Sequence, residues 1–182
     1  MEELLEKIPP EKRWEITAKT LARFFCYRGE KLIAPQLGVG KDIISPLWSK
    51  EKWQEINDKV IGDAAKQSMR WVKEMFNIPV EDAIGAVKLL FVGAILSWGP
   101  EVTFEIVEQT PERAEVRHTK CPWWETYEEY EVDPEFRWCT TGHQVMFEKG
   151  FKAINPKLTF KLTKAFGWGD PYCEAVIEFK EE

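Results

Sequence analysis

The chain has 182 residues, 44% hydrophobic and 31% charged, which gives one sizeable core and an ordinary soluble composition. Its net charge of −6, with Lys and Arg scattered among Glu and Asp, excludes a nucleic-acid-binding stripe. The opening Met1-Glu2-Glu3 is acidic with no apolar stretch behind it, so a cytoplasmic protein with its four cysteines reduced is expected.

The first half reads helical. Trp14, Ala18, Leu21 and Phe25 recur at spacings of three to four within Glu11 to Phe25. Gly29 to Pro46 is rich in Gly and Pro and forms a connection; Gly38 and Gly40 lack the Lys-Ser/Thr of a phosphate loop. Ser49 is a suitable N-cap for a helix from about Glu51 to Phe76, with Trp53, Ile56, Val60, Ala64, Trp71 and Met75 on its apolar face. Asn77-Ile78-Pro79 stops it, and Pro79 opens the next helix, which ends near Trp98. The run Ala83 to Gly99 is apolar, but it is shorter than the roughly 20 residues of a membrane span and is interrupted by Lys88. It predicts a buried helix.

After Pro100 the period changes from helical to alternating. Val102 to Ile106 and Ala114 to His118 alternate about Thr110-Pro111-Glu112, the pattern of a hairpin. Cys121-Pro122 ends the second strand, and a helix follows from Trp123 to Tyr130, whose glutamates form a solvated face. Asp133-Pro134 starts a helix from about Glu135 to Ala153, with Phe136, Cys139, His143, Met146, Phe147 and Gly150 on one face. Leu158, Phe160 and Leu162 alternate in a third strand, and Cys173, Ala175, Ile177 and Phe179 in a fourth, joined by a turn at Gly167 to Pro171. The predicted class is α+β: a helical part over 1–100 packed on an antiparallel sheet, with 101–182 carrying two hairpins and a helix between them, all in one compact unit.

Chemistry concentrates in the C-terminal third, in Cys121, Cys139, His143 and Cys173. Cys139 and His143 are four residues apart and share a helix face; Cys173 lies on the apolar face of the last strand. Three readings of this set stand side by side. The thiols and the imidazole are packed core groups. Alternatively, Cys121, Cys139, His143 and Cys173 bind zinc or iron as a Cys3His set, although the spacing lacks paired C-x2-C clusters. Or a cysteine beside a histidine has a depressed pKa and attacks an electrophilic carbon, with Asp170 orienting or polarising. His118, in phase with Ala114 and Val116, reads as a plain packed or surface histidine, and Cys26 beside Phe24 and Phe25 as core.

Four elements of this region together resemble the L-2-amino-thiazoline-4-carboxylic acid hydrolase-like family, whose wider relatives include 4-vinyl reductase and small-ligand-sensing domains. They are Cys121-Pro-Trp, Cys139 with a following His, Asn155-Pro-Lys-Leu-Thr-Phe, and Gly169-Asp170-Pro-Tyr-Cys173 before a closing strand. The resemblance covers about Val102 to Phe179. It implies an α+β fold enclosing a pocket for a small organic molecule. It also implies a hydrolase that opens a cyclic amidine or amide at a C–N bond. In that chemistry a cysteine thiolate, or a water activated by His143, attacks the ring carbon, and Asp170 with backbone N–H groups stabilises developing charge. Arg117 and Arg137 are the nearest candidates to anchor a substrate carboxylate.

The resulting expectation is a small-molecule hydrolase with catalytic candidates Cys121, Cys139, His143, Asp170 and Cys173. The alternative is a non-catalytic ligand-sensing or metal-binding module of the same fold. No organic cofactor is called for, and zinc or iron is the metal to test. The partner is a small organic molecule, without nucleic acid or membrane, and a homodimer is a possible assembly.

Overall fold

A computed structural model describes residues 50–98, 102–129 and 142–180. In chain order these form helix α1 (Lys50–Met75), α2 (Ala83–Trp98), strands β1 (Thr103–Gln109) and β2 (Arg113–Lys120), helices α3 (Pro122–Glu129) and α4 (Gly142–Ile154), strand β3 (Leu158–Lys164), a single 3-10 turn (Phe166–Trp168) and strand β4 (Cys173–Phe179). The expected helix over Glu11 to Phe25 and the connection after it lie outside the described residues.

The strands form one antiparallel sheet in the order β1-β2-β4-β3, so two hairpins are joined through their β2 and β4 strands. Alternation sorts its faces. Ala114, Val116, His118, Cys173, Ala175, Ile177, Phe160 and Leu162 point inward and are buried. Arg117 lies on the other face, next to Glu174, Lys164 and Tyr172.

Among the described residues, helices cover only the inner face. α2 packs on β1, β2 and β4, α4 lies along β3, and α1 packs against both helices. α2 is apolar around nearly its whole circumference because it lies between α1 and the sheet. It starts at Ala83 rather than at Pro79. The Asp82 carboxylate accepts the Gly85 N–H at 2.7 Å and caps the helix, and the Ala83 N–H donates to the Pro111 carbonyl of the β1–β2 turn at 2.8 Å.

The phase of α1 also differs from its expected one. Ile61, Ala65, Met69 and Val72 are buried, whereas Trp71 and Met75 are 40% and 49% exposed. The inward stripe is set by α4, which crosses close to α1 at Gly150: a Cβ there would collide with the Met69 sulfur. Periodicity shows that a helix is amphipathic, but a long helix with apolar residues on both sides of the stripe does not reveal which side its neighbour takes.

At the β3 edge, Gln144 of α4 acts in place of another strand. Its side-chain amide donates to the Phe160 carbonyl at 3.0 Å, and its oxygen accepts the Leu162 N–H at 2.7 Å. This closes part of an edge that would otherwise offer free pairing groups, and it fixes the first turn of α4, with His143, over the sheet.

Candidate functional site

The first turn of α4, the end of α2 and the far ends of β1, β2 and β4 meet at one place. Backbone pairing sets Phe104 opposite His118, and His118 opposite Cys173, giving an inward row across three strands. Trp98, the last residue of α2, stacks on the His118 ring with centroids 5.1 Å apart and planes at 11°. Phe104 stacks on the same ring at 5.2 Å, and Phe166 meets it edge-on at 6.1 Å. His143 stands perpendicular to Trp98 at 5.5 Å and to His118 at 6.5 Å, and leans on Phe147 at 5.1 Å. The result is an aromatic cluster containing two imidazoles.

His118 is 5% exposed, and neither ring nitrogen has a hydrogen-bond partner among the described residues. A buried polar group without a partner costs about 1–3 kcal/mol, so native structures rarely keep one without a use. Burial lowers the His118 pKa from 6.5 to about 4. The Lys120 backbone approaches closely enough to oppose that shift, yet falls short of a hydrogen bond. His143, 7% exposed, is lowered to about 3 by burial and then by the neighbouring His118. Both imidazoles are therefore neutral at physiological pH.

The thiols shift upward. Burial raises Cys173 to about 12, against the opposing effect of the Phe166 N–H, which donates to its Sγ at 3.4 Å; Cys121 and Asp170 are close enough to raise it further. Cys121 is half-buried as a residue, but its sulfur is packed closely enough to be raised to about 11, against the backbone N–H groups of Trp124 and Trp123 at the start of α3. This is the opposite of the depression that a resting nucleophilic thiolate requires.

Of the residues singled out from the sequence, Cys173, Cys121 and His143 thus lie in and around one cluster. Asp170 stands at its rim and makes a structural contact: its Oδ2 accepts the Ala165 N–H at 2.9 Å and closes the β3–β4 turn. Cys139 and Arg137 lie outside the described residues. Arg117 lies on the opposite face of the sheet from His118, where its Nε donates to Glu174 at 2.7 Å, so it is turned away from this cluster. Among the described residues no three metal-ligating side chains converge.

Sequence reasoning passed over His118, the central group, and its aromatic walls. The signal was present: His118 shares the inward phase of Ala114 and Val116. Its stacking on Trp98 depends on where α2 ends relative to β2, which no local pattern encodes.

The sequence profile described as L-2-amino-thiazoline-4-carboxylic acid hydrolase matches residues 1–177. The chain belongs to this family. Its match extends through the helical half as well as the region from Val102 to Phe179 that carries the resemblance. No curated protein matches this family member in sequence. Two solved structures share its fold. One is the phenol-responsive sensory domain of the transcription activator PoxR with phenol, at 9% identity and TM-score 0.51, covering 79% of this chain and 72% of that one. The other is a trafficking protein particle complex subunit 3 from Naegleria fowleri covalently bound to palmitic acid, at 10% identity and TM-score 0.51, covering 82% of this chain and 93% of that one. Among the described residues no helix is long and apolar enough to cross a membrane.

Proposed function

We propose that this chain binds a small, planar, uncharged organic molecule in the chamber around His118. The observation that carries this reading is the buried His118 ring, whose two nitrogens have no hydrogen-bond partner among the described residues. A neutral imidazole offers one donor and one acceptor, so a ligand bearing an N–H or O–H would satisfy its acceptor nitrogen and a ligand oxygen or ring nitrogen its N–H. Trp98, Phe104 and Phe166 supply flat apolar walls suited to a ring. A carboxylate or ammonium ion would lose its hydration there without an opposite charge to replace it. The relation of the fold to a phenol-responsive sensory domain supports the same class of ligand.

Hydrolysis is the second reading, favoured by the family to which the chain belongs. In that case His118 or His143, already neutral, accepts a proton from the attacking water while the heterocycle is held between the aromatic rings. Cys121 and Cys173 act as packed hydrogen-bonding groups, and a nucleophilic role falls to Cys139.

Quenching of tryptophan fluorescence by phenol and by 2-aminothiazole tests binding. Saturable quenching in the wild type that is lost in His118→Phe supports the proposal; equal responses in both proteins refute it. Incubation with 2-amino-thiazoline-4-carboxylic acid, followed by mass spectrometry for the water adduct, tests hydrolysis.

A further inference from the structure

The chamber raises a question of access, because a ligand must reach a ring that is almost wholly covered. Most of its described walls are parts of helices or paired strands. Trp98 ends a sixteen-residue helix, Phe104 lies in a paired strand, and His143 and Phe147 belong to α4, which Gln144 fastens to β3. Phe166 is different. It sits in the eight-residue connection from Ala165 to Tyr172, which contains only one 3-10 turn. Its ring stacks at 5.8 Å and 14° on Trp124 of the short helix α3, while its edge faces His118.

We infer that the Trp124–Phe166 stack is the entrance to the His118 chamber, and that Asp170 is the clasp that holds it shut. This rests on the ligand-binding reading above for its purpose, though not for its geometry. Among the described residues the hydrogen bonds that close the connection are mostly within it, including Trp168 N–H to the Ala165 carbonyl at 2.9 Å and Gly169 N–H to the Phe166 carbonyl at 3.0 Å. Asp170 takes the Ala165 N–H through Oδ2 at 2.9 Å and returns its own N–H to the Ala165 carbonyl at 3.2 Å. Gly169, at φ +91°, makes the reversal that brings Asp170 back to Ala165, a conformation that suits glycine. Inside the clasp, the Phe166 N–H rests on the Cys173 sulfur, a weak acceptor. Releasing Asp170 frees Phe166 to swing off Trp124 while Lys164 and Cys173 stay anchored in their strands. The motion exposes His118 and Cys173 together, and the gap between Phe166 and Trp124 limits the width of what enters. Segments of this kind, with few buried backbone bonds, open locally at far lower cost than the sheet.

Cys173 reports the opening without any ligand. Wild-type protein, Asp170→Ala and Phe166→Ala are treated with methyl methanethiolsulfonate, and labelling of Cys173 is followed by peptide mass spectrometry at several low urea concentrations. Amide exchange on β2 and β4 in the same samples checks that each variant remains folded. The expected result is Cys173 labelling on the order of tenfold or more faster in both variants, the effect of losing a charged hydrogen bond or the covering ring, with little urea dependence and unchanged strand protection. In fluorescence kinetics with phenol, Asp170→Ala should raise the association and dissociation rates by similar factors and leave Kd unchanged. The inference is overturned if Cys173 is labelled in all three proteins only at the rate of global unfolding. If labelling accelerates as expected but phenol and 2-aminothiazole do not bind, the entrance stands and the ligand-binding reading fails.

Discussion

Replacing His118 with phenylalanine should stabilise the protein while abolishing ligand binding. The flat ring and its stacking on Trp98 and Phe104 are kept, and two buried nitrogens without partners among the described residues are removed. Relief of an unsatisfied polar group is worth about 1–3 kcal/mol. The larger phenyl ring returns part of this as crowding, leaving a gain of about 1 kcal/mol, or ~2–4 °C in Tm for a chain of this size. Acid sensitivity gives a second readout. The folded His118 pKa of about 4 lies below its ordinary 6.5, so as pH falls below 6.5 the unfolded chain takes up a proton first. The stability associated with the neutral ring is complete above pH 6.5, declines by about 1.4 kcal/mol per pH unit below it, and stops declining when the folded ring protonates. His143 adds a like decline that continues to about pH 3. Urea melts from neutral pH down to the acid limit of each window should therefore show a shallower loss in His118→Phe, by the share of one histidine. A variant destabilised by more than about 1 kcal/mol at neutral pH, or one with an unchanged acid slope, would refute the reasoning, since His118 would then be a satisfied structural residue.

Further predictions concern the surroundings. Cys121 and Cys173, raised to about 11 and 12, should react with iodoacetamide slowly at neutral pH and accelerate steadily into alkaline solution; a rate already at its plateau near neutrality in either peptide would contradict this. Gln144→Leu removes both amide bonds to β3 and should cost about 2–3 kcal/mol in urea melts, two hydrogen bonds' worth, with faster exchange of the Leu162 amide. Gly85→Ala should destabilise by about 1–3 kcal/mol despite the better helix propensity of alanine, because the new Cβ collides with the rigid Pro79 carbonyl; a more stable variant would show that the Pro79 backbone yields.

Much of this architecture was readable from local patterns. The change from helical to alternating period after Pro100 located both hairpins, and the phase of Cys173, Ala175 and Ile177 identified the inward face of β4. The start of α2 was misplaced because Pro79 is a good first helical residue, while the actual cap, Asp82, works through one side-chain bond that competes with it. The thiols stand out because sulfur chemistry is conspicuous in a sequence. The reversal of their expected pKa direction comes from burial, a property of the assembled core. Asp170 was recognised as important in the Gly-Asp element, but it grips the Ala165 backbone. Arg117 was a candidate anchor in the sequence, although simple alternation already places it, one residue from His118, on the other face of the sheet.

The central claim is that His118 is a neutral imidazole, without a hydrogen-bond partner among the described residues, that meets a ligand. Long-range proton–nitrogen NMR of the His118 ring, recorded across the acid range with and without phenol or 2-aminothiazole, tests it most directly. The account predicts a ring that stays neutral down to about pH 4 and whose nitrogen shifts move on addition of at least one probe. A ring that titrates near its ordinary 6.5 and ignores both probes would contradict it.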